Sequence, residues 1–210
     1  LGWGKMEDPD SEYHLNQNVN NSKRLITELY DSGIEKIIFL GSATEYGDRK
    51  GLLSENNKPK GLQTKYAKGK FEVAKFGFRI ANKYDKIFLH IRLFYTYGPF
   101  QRNTSLINYL INCYKNNEKP KLGTGNYYRD YIYLTDAIKG MILLANTDES
   151  LTINLGSGHA VKVKDFVLKL WKILGGNIAD IQFGSRPMKN TEPKQQYAYA
   201  DISLMKKLIK

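Results

Sequence analysis

A chain of 210 residues, 41% of them hydrophobic, can bury a sizeable core and fits one large domain or one and a half. The net charge of +11 suits an anionic substrate, but the lysines are spread along the whole chain without a basic–aromatic module, which argues against nucleic acid. No apolar run reaches a membrane span and no signal peptide is expected; Cys113 alone excludes an internal disulfide and fits a reducing cytoplasm, and three scattered histidines, His14, His90 and His159, give a metal site little support.

In chain order, Val19, Leu25, Ile26 and Leu29 recur at helical spacing and predict a helix over residues 16–32, stopped by Gly33. "KIIFL" follows, apolar on consecutive residues, and predicts a parallel strand buried on both faces. A second helix is expected over 65–84, with Phe71, Ala74, Phe78 and Ala81 near one stripe, and "KIFLHIRLF" over 86–94 is a second buried strand closed by "YGP". Beyond Pro99 the pattern predicts a helix from Ser105, a turn and strand in "GTGNYYRDYIYLTD", a helix over "AIKGMILLA" capped by Thr135 or Asp136, and a strand in "LTINLGSG". An amphipathic helix in "VKDFVLKLWKIL", a short strand in "DIQFG" and a last helix capped by Asp201 complete the chain. Helix and strand alternate as in α/β folds with a parallel sheet.

Two short stretches carry chemistry. "IIFLGSATEYG" ends a strand on Ser42, and "KYAKGK" places Tyr66 and Lys70 on one helix face. A phenol has a pKa near 10, so working as a base near neutrality requires a shift of about 3 units, to which a neighbouring ammonium contributes. A serine at a strand end can hold a substrate oxygen in line, where open α/β sheets place their ligands.

The order strand–Ser42, helix–Tyr66–Lys70, strand–"RLFYTYGP", then "GTGNYYRDYIYLTDAIKG", "NLGSG" and "YADISLMKK" resembles the extended short-chain dehydrogenase/reductase family, in its NAD-dependent nucleotide-sugar epimerase/dehydratase group. The resemblance covers nearly the whole chain. It implies the C-terminal part of a Rossmann-like, doubly wound parallel sheet, with a partial dinucleotide-binding domain in 1–99. Residues 100–210 would form a smaller mixed α/β substrate lobe with elements returning to the sheet.

By the same resemblance, Tyr66 is the acid/base, Lys70 lowers its pKa and binds the nicotinamide ribose, and Ser42 bonds the reacting sugar oxygen. Asn18 steadies the cofactor side and Phe94 lies by the nicotinamide. Thr44 and Tyr95 contact the sugar. Arg129 grips the diphosphate, the alternative being a structural pairing with Asp130. Lys189 and Glu192 stand at the spacing of a diphosphate- and ribose-gripping pair, with Arg186 as a nearby substitute for the usual arginine.

Three departures stand out. The glycine-rich strand–turn–helix that cradles a dinucleotide is not found, and "LGWGK" looks like the end of the fourth strand of the sheet. Tyr95 replaces a common asparagine. Ala43-Thr44 follow Ser42 where 4,6-dehydratases carry Asp-Glu. The implied activity of the intact parent is NAD- or NADP-dependent epimerisation of a nucleotide-diphosphate sugar, most simply at C4. The alternatives are reduction of a nucleotide-4-keto-6-deoxysugar, or, from another class, an inactive fragment or non-catalytic scaffold. A cytoplasmic homodimer joined through helices 16–32 and 65–84 is expected, with no nucleic acid, membrane or metal.

Overall fold

A computed structural model of the protein describes residues 3–5, 7–187 and 197–209. The first half supplies β1 (Lys36–Leu40), β2 (Gly51–Leu53), β3 (Ile87–Leu93) and β4 (Tyr95–Tyr97), with helices α1 (Asn20–Asp31) and α2 (Lys65–Tyr84). The second supplies β5 (Lys121–Leu122), β6 (Tyr128–Arg129), β7 (Tyr131–Tyr133), β8 (Thr152–Leu155), β9 (Val161–Lys162), β10 (Gln182–Phe183) and β11 (Ala198–Ala200). Its helices are α3 (Leu106–Lys115), α4 (Leu134–Leu144), α5 (Val163–Ile173) and α6 (Ser203–Leu208).

The central sheet is parallel in the order β1-β3-β8, with Ile37 opposite Phe88 and Ile91 opposite Ile153. This is the α/β parallel-sheet architecture expected from the alternation of helix and strand. Side chains alternate along β3, so Phe88 joins Val19, Ile26, Tyr30, Val73 and Ala81 beneath α1 and α2. Leu89 and Ile91 join Ile153, Leu155, Ala137, Leu144 and Met205 beneath α4 and α6. Gly77 lets α2 approach the sheet, since a Cβ there would lie 2.1 Å from the Phe88 ring. A separate core forms where α3 and α5 pack, around Leu110, Val167 and Trp171.

Several expectations are corrected. The strand β1 is not buried on both faces. Ile37 and Phe39 pack under α1 and α2, while Ile38 and Leu40 are 38% and 41% exposed. The α4–α6 layer packs on β3 and β8, and β1 is the edge strand of the described sheet. The first helix opens with a π-helical turn over His14–Val19 before α1 begins at Asn20. Residues 3–5 form no strand. The helix α4 begins at Leu134, so Thr135 and Asp136 lie inside its first turn and no side chain caps it. By contrast Ser105 caps α3 through the Asn108 amide, and Asp201 accepts from the Ser203 amide at the start of α6. The span of α2 is the one expected; Thr64 caps it at the front, and Asp85, in the left-handed region at φ 53°, ends it. Among the described residues, no helix is long and apolar enough to cross a membrane.

Candidate active site

The turn after β1 is built from a capping box. The Ser42 hydroxyl oxygen accepts from the Thr44 amide at 3.2 Å, and the Glu45 carboxylate reaches back to accept from the Ser42 amide at 2.7 Å. The Thr44 hydroxyl also donates to Ser42 Oγ, at 2.9 Å. With both lone pairs engaged, the Ser42 hydroxyl has its own proton left to donate. Tyr66, in the first turn of α2 with its backbone held by the Pro9 carbonyl at 2.9 Å, lies close enough for the Ser42 hydroxyl to favour its phenolate. Ser42, Thr44 and Tyr66 therefore converge at the C-terminal end of β1.

Lys70, one turn along α2, is 8% exposed and donates from Nζ to the Leu40 carbonyl at 2.8 Å. Its ammonium sits over the Trp3 ring at 4.2 Å and the Phe39 ring at 4.9 Å, and 5.9 Å from the Tyr66 ring centroid. Burial pushes the Tyr66 phenol up to about 12; the nearby Ser42 hydroxyl and the charge of Arg102 act downward, and Glu45 acts upward. Burial pulls Lys70 down to about 8, opposed by Glu45. The lowering of the Tyr66 pKa by Lys70 expected from the four-residue spacing is therefore not what this geometry gives. Desolvation dominates, Lys70 is committed to Leu40, and the cation acting on the phenol is the exposed Arg102.

Asn18 is buried and its amide serves the chain: Oδ1 accepts from the Gly4 amide at 3.2 Å, and Nδ2 donates to the Gly4 carbonyl at 3.1 Å and to His14 Nδ1 at 3.0 Å. His14 Nε2 in turn donates to the Asp8 carbonyl at 2.9 Å, and its ring meets Tyr66 edge-on at 5.4 Å between centroids. Asn18 thus acts on the site through Gly4 and His14. Phe94 is buried against Tyr46 in a cluster with Ala43, Leu53, Ala198 and Ala200.

The remaining predicted residues line two clefts that share Leu106 and Tyr127. A cleft of about 340 Å³ holds Arg129 among Tyr95, Tyr97, Gln101 and Tyr131. The Arg129 guanidinium lies over Tyr127 at 4.5 Å and Tyr95 at 4.9 Å, and its Nη1 donates to the Tyr128 carbonyl at 2.8 Å. Asp130 is not its structural partner. That buried carboxylate takes the Ser157 amide and hydroxyl, both at 2.7 Å, the Gly158 amide at 2.9 Å and the Ala200 amide at 3.0 Å. The second cleft, about 530 Å³, holds Arg186 with Lys121, Tyr109 and Phe183. Lys189 and Glu192 lie outside the described residues.

Glu45 and Arg102 were not anticipated. Glu45 carried a readable signal, the Ser-x-x-Glu spacing of a capping box. Arg102 carried none, because its effect depends on contacts made across the fold.

Residues 5–156 match the NAD dependent epimerase/dehydratase family, and the chain belongs to that family. It is 26% identical over 216 residues to an uncharacterised UDP-glucose epimerase of Bacillus subtilis, covering 99% of this chain and 63% of that protein. It is 30% identical over 122 residues to the CDP-abequose synthase of Salmonella typhimurium, covering 55% of this chain and 41% of that one. Among solved structures, UDP-glucuronic acid 4-epimerase from Bacillus cereus, in complex with UDP-glucuronic acid and NAD, superposes with a TM-score of 0.83. It shares 23% identity and covers 99% of this chain and 64% of its own. UDP-N-acetylglucosamine 4-epimerase from Methanobrevibacter ruminantium superposes with a TM-score of 0.81 at 25% identity, covering 91% and 62%. The chain thus spans less than two thirds of the length of these proteins.

The residues present fit one part of a nicotinamide dinucleotide. The Lys70 ammonium and the Tyr66 phenol, one helical turn apart, are two donors of the kind a ribose diol can accept from. The buried ammonium also yields a prediction. In the folded chain Lys70 gives up its proton near pH 8, and in the unfolded chain near 10.5. Between those values the unfolded state binds more protons, so stability rises with pH. In urea unfolding without added dinucleotide, Lys70→Met should be the more stable form at pH 7, and its advantage should shrink by about 3 kcal/mol by pH 11. A pH-independent gap would contradict this assignment.

Proposed function

We propose that the intact protein is a nucleotide-sugar epimerase that exchanges hydride at C4 of the sugar ring. The observation that carries this reading is the meeting of Ser42, Tyr66 and the Lys70 ammonium at the end of a parallel strand, with Lys70 Nζ 2.8 Å from the Leu40 carbonyl and 5.9 Å from the Tyr66 ring centroid. Ser42 holds the reacting sugar oxygen, and Tyr66 takes its proton and later returns it. Lys70 and Tyr66 hold the nicotinamide ribose; NAD, when bound, supplies the hydride acceptor. NAD rather than NADP is supported by the solved neighbours that contain it. Lys70, with a pKa held near 8, remains mostly protonated at neutral pH.

The paired clefts support a nucleotide-diphosphate substrate, with Tyr95 toward the sugar, Arg129 toward the diphosphate and Arg186 toward the nucleotide; Thr44, beside Ser42, is assigned to the sugar as well. Phe94 and Asn18 act on the cofactor side from behind, as packing and as an anchor. We place the division between dinucleotide and substrate domains at residues 99 and 100. The 210-residue chain alone, whose sequence has no glycine-rich cradle, should bind dinucleotide poorly and be inactive in isolation. Reduction of a nucleotide-4-keto-6-deoxysugar is the second reading. It uses the same groups and is favoured by the match to a protein named for synthesis of a CDP-sugar.

In the full-length protein, Tyr66→Phe should lower kcat for UDP-sugar interconversion at least 100-fold with KM little changed. Unchanged turnover would remove Tyr66 from the chemistry, and turnover only of a keto sugar with reduced dinucleotide would favour the reductase. Arg129→Ala should raise KM for the nucleotide sugar at least tenfold, consistent with loss of a charge-assisted contact, while leaving dinucleotide binding intact. Loss of cofactor with substrate affinity kept would reverse that assignment. A homodimer joined through α1 and α2, already packed on each other and bridged by the Lys23–Glu72 ion pair, predicts twice the chain mass in sedimentation. A monomer would exclude it.

A further inference from the structure

Beneath the Ser42 turn lies a buried polar cluster that the reaction above does not use. Glu45, His90 and Arg92 are each buried, with Glu45 and His90 almost completely enclosed. His90 and Arg92 rise from β3, the strand paired with β1. His90 Nε2 lies 3.1 Å from Glu45 Oε2 and 3.3 Å from Oε1, and its Nδ1 lies 3.2 Å from the Thr152 hydroxyl on β8. Arg92 Nε stands 3.7 Å from Glu45 Oε2, and its guanidinium covers the Tyr46 ring at 4.4 Å. Space for this arrangement exists because residue 41 is glycine: a Cβ there would sit 2.2 Å from His90 Nε2 and 2.4 Å from Glu45 Oε1.

Burying a carboxylate is costly, and a capping box on a one-turn 3₁₀ segment is a small return for it. Among the described residues, the backbone group the carboxylate accepts from is the amide of Ser42, whose hydroxyl acts on the Tyr66 phenol. We propose that Glu45, clamped by His90 and Arg92, is a positioning residue that fixes the Ser42 hydroxyl against the Tyr66 phenol. Its effect on the proposed sugar chemistry rests on the reading above; its effect on the placing of Ser42 beside Tyr66 does not.

Two variants separate position from charge. Glu45→Gln removes the charge but keeps an oxygen for the Ser42 amide, whereas Glu45→Ala removes both. In full-length protein labelled with ¹³C at the tyrosine phenol carbon, the Tyr66 resonance is assigned by its loss in Tyr66→Phe. Glu45→Ala should shift that resonance as Ser42→Ala does, with no added shift in the double variant, and Glu45→Gln should leave it in place. With UDP-sugars, Glu45→Ala should lower kcat at least tenfold while KM stays within threefold, and Glu45→Gln should recover most of the loss.

A Tyr66 resonance unmoved by Glu45→Ala, or moved equally by Glu45→Gln, overturns the proposal. If the wild-type protein converts no nucleotide sugar, the proposed function fails, and the resonance still decides the role of Glu45. If Glu45→Ala does not fold, Glu45→Asp takes its place, keeping the charge but withdrawing the oxygen. A wild-type resonance and kcat in that variant would equally reject the idea.

Discussion

The segments that carry Tyr95 and Arg129 are held by one buried carboxylate. Asp130 accepts four hydrogen bonds, from the amide and hydroxyl of Ser157 and the amides of Gly158 and Ala200, and so ties the end of β6 to the turn after β8 and to β11. Its own carbonyl holds the Tyr95 amide at 3.1 Å. Three segments distant in sequence meet within one side chain's reach. Each would otherwise leave amides buried without partners, at a cost of about 1 to 3 kcal/mol apiece. The approach is close: a Cβ at Gly156 would lie 2.8 Å from the carboxylate. Arg129, the preceding residue, takes its place over Tyr95 and Tyr127 because its neighbour is so anchored.

Around the Ser42–Tyr66 pair the electrostatics run in opposite directions. Burial raises the phenol and lowers the ammonium, so each group is held nearer its uncharged form than water would allow. Glu45 opposes proton loss from both: it disfavours the phenolate and favours the ammonium. This is the expected balance of a site built to be tipped by added positive charge rather than one already poised as a base.

The elements whose packing is local were legible in the sequence. The span of α2 followed from its apolar spacing and polar flanks, and the parallel pair β1–β3 from two consecutive apolar runs. The Ser42–Tyr66–Lys70 constellation was readable because a strand end and a four-residue helical spacing are both local facts. Exposure of Ile38 and Leu40 was not readable, since a run of apolar residues does not reveal which neighbour covers each face. The direction of the Tyr66 pKa shift was misjudged for a related reason. Spacing brings Lys70 onto the same helix face, but the Leu40 carbonyl decides where its ammonium goes. The partners of Asp130 were not readable either, because they lie 27 to 70 residues away.

The two tryptophans occupy unlike surroundings. Trp171 is buried between α3 and α5, its indole nitrogen bonded to the Asn177 carbonyl at 2.9 Å. Trp3 lies beside the Ser42–Tyr66–Lys70 group, edge-on to Tyr66 at 5.7 Å, stacked near His14 at 6.0 Å and beneath the Lys70 ammonium. Indole emission responds to nearby charge and polarity, so the intrinsic fluorescence of this chain is a two-channel signal. One channel reports the integrity of the α3–α5 core. The other reports the charge state and company of Lys70, and gives the site an optical label already written into the sequence.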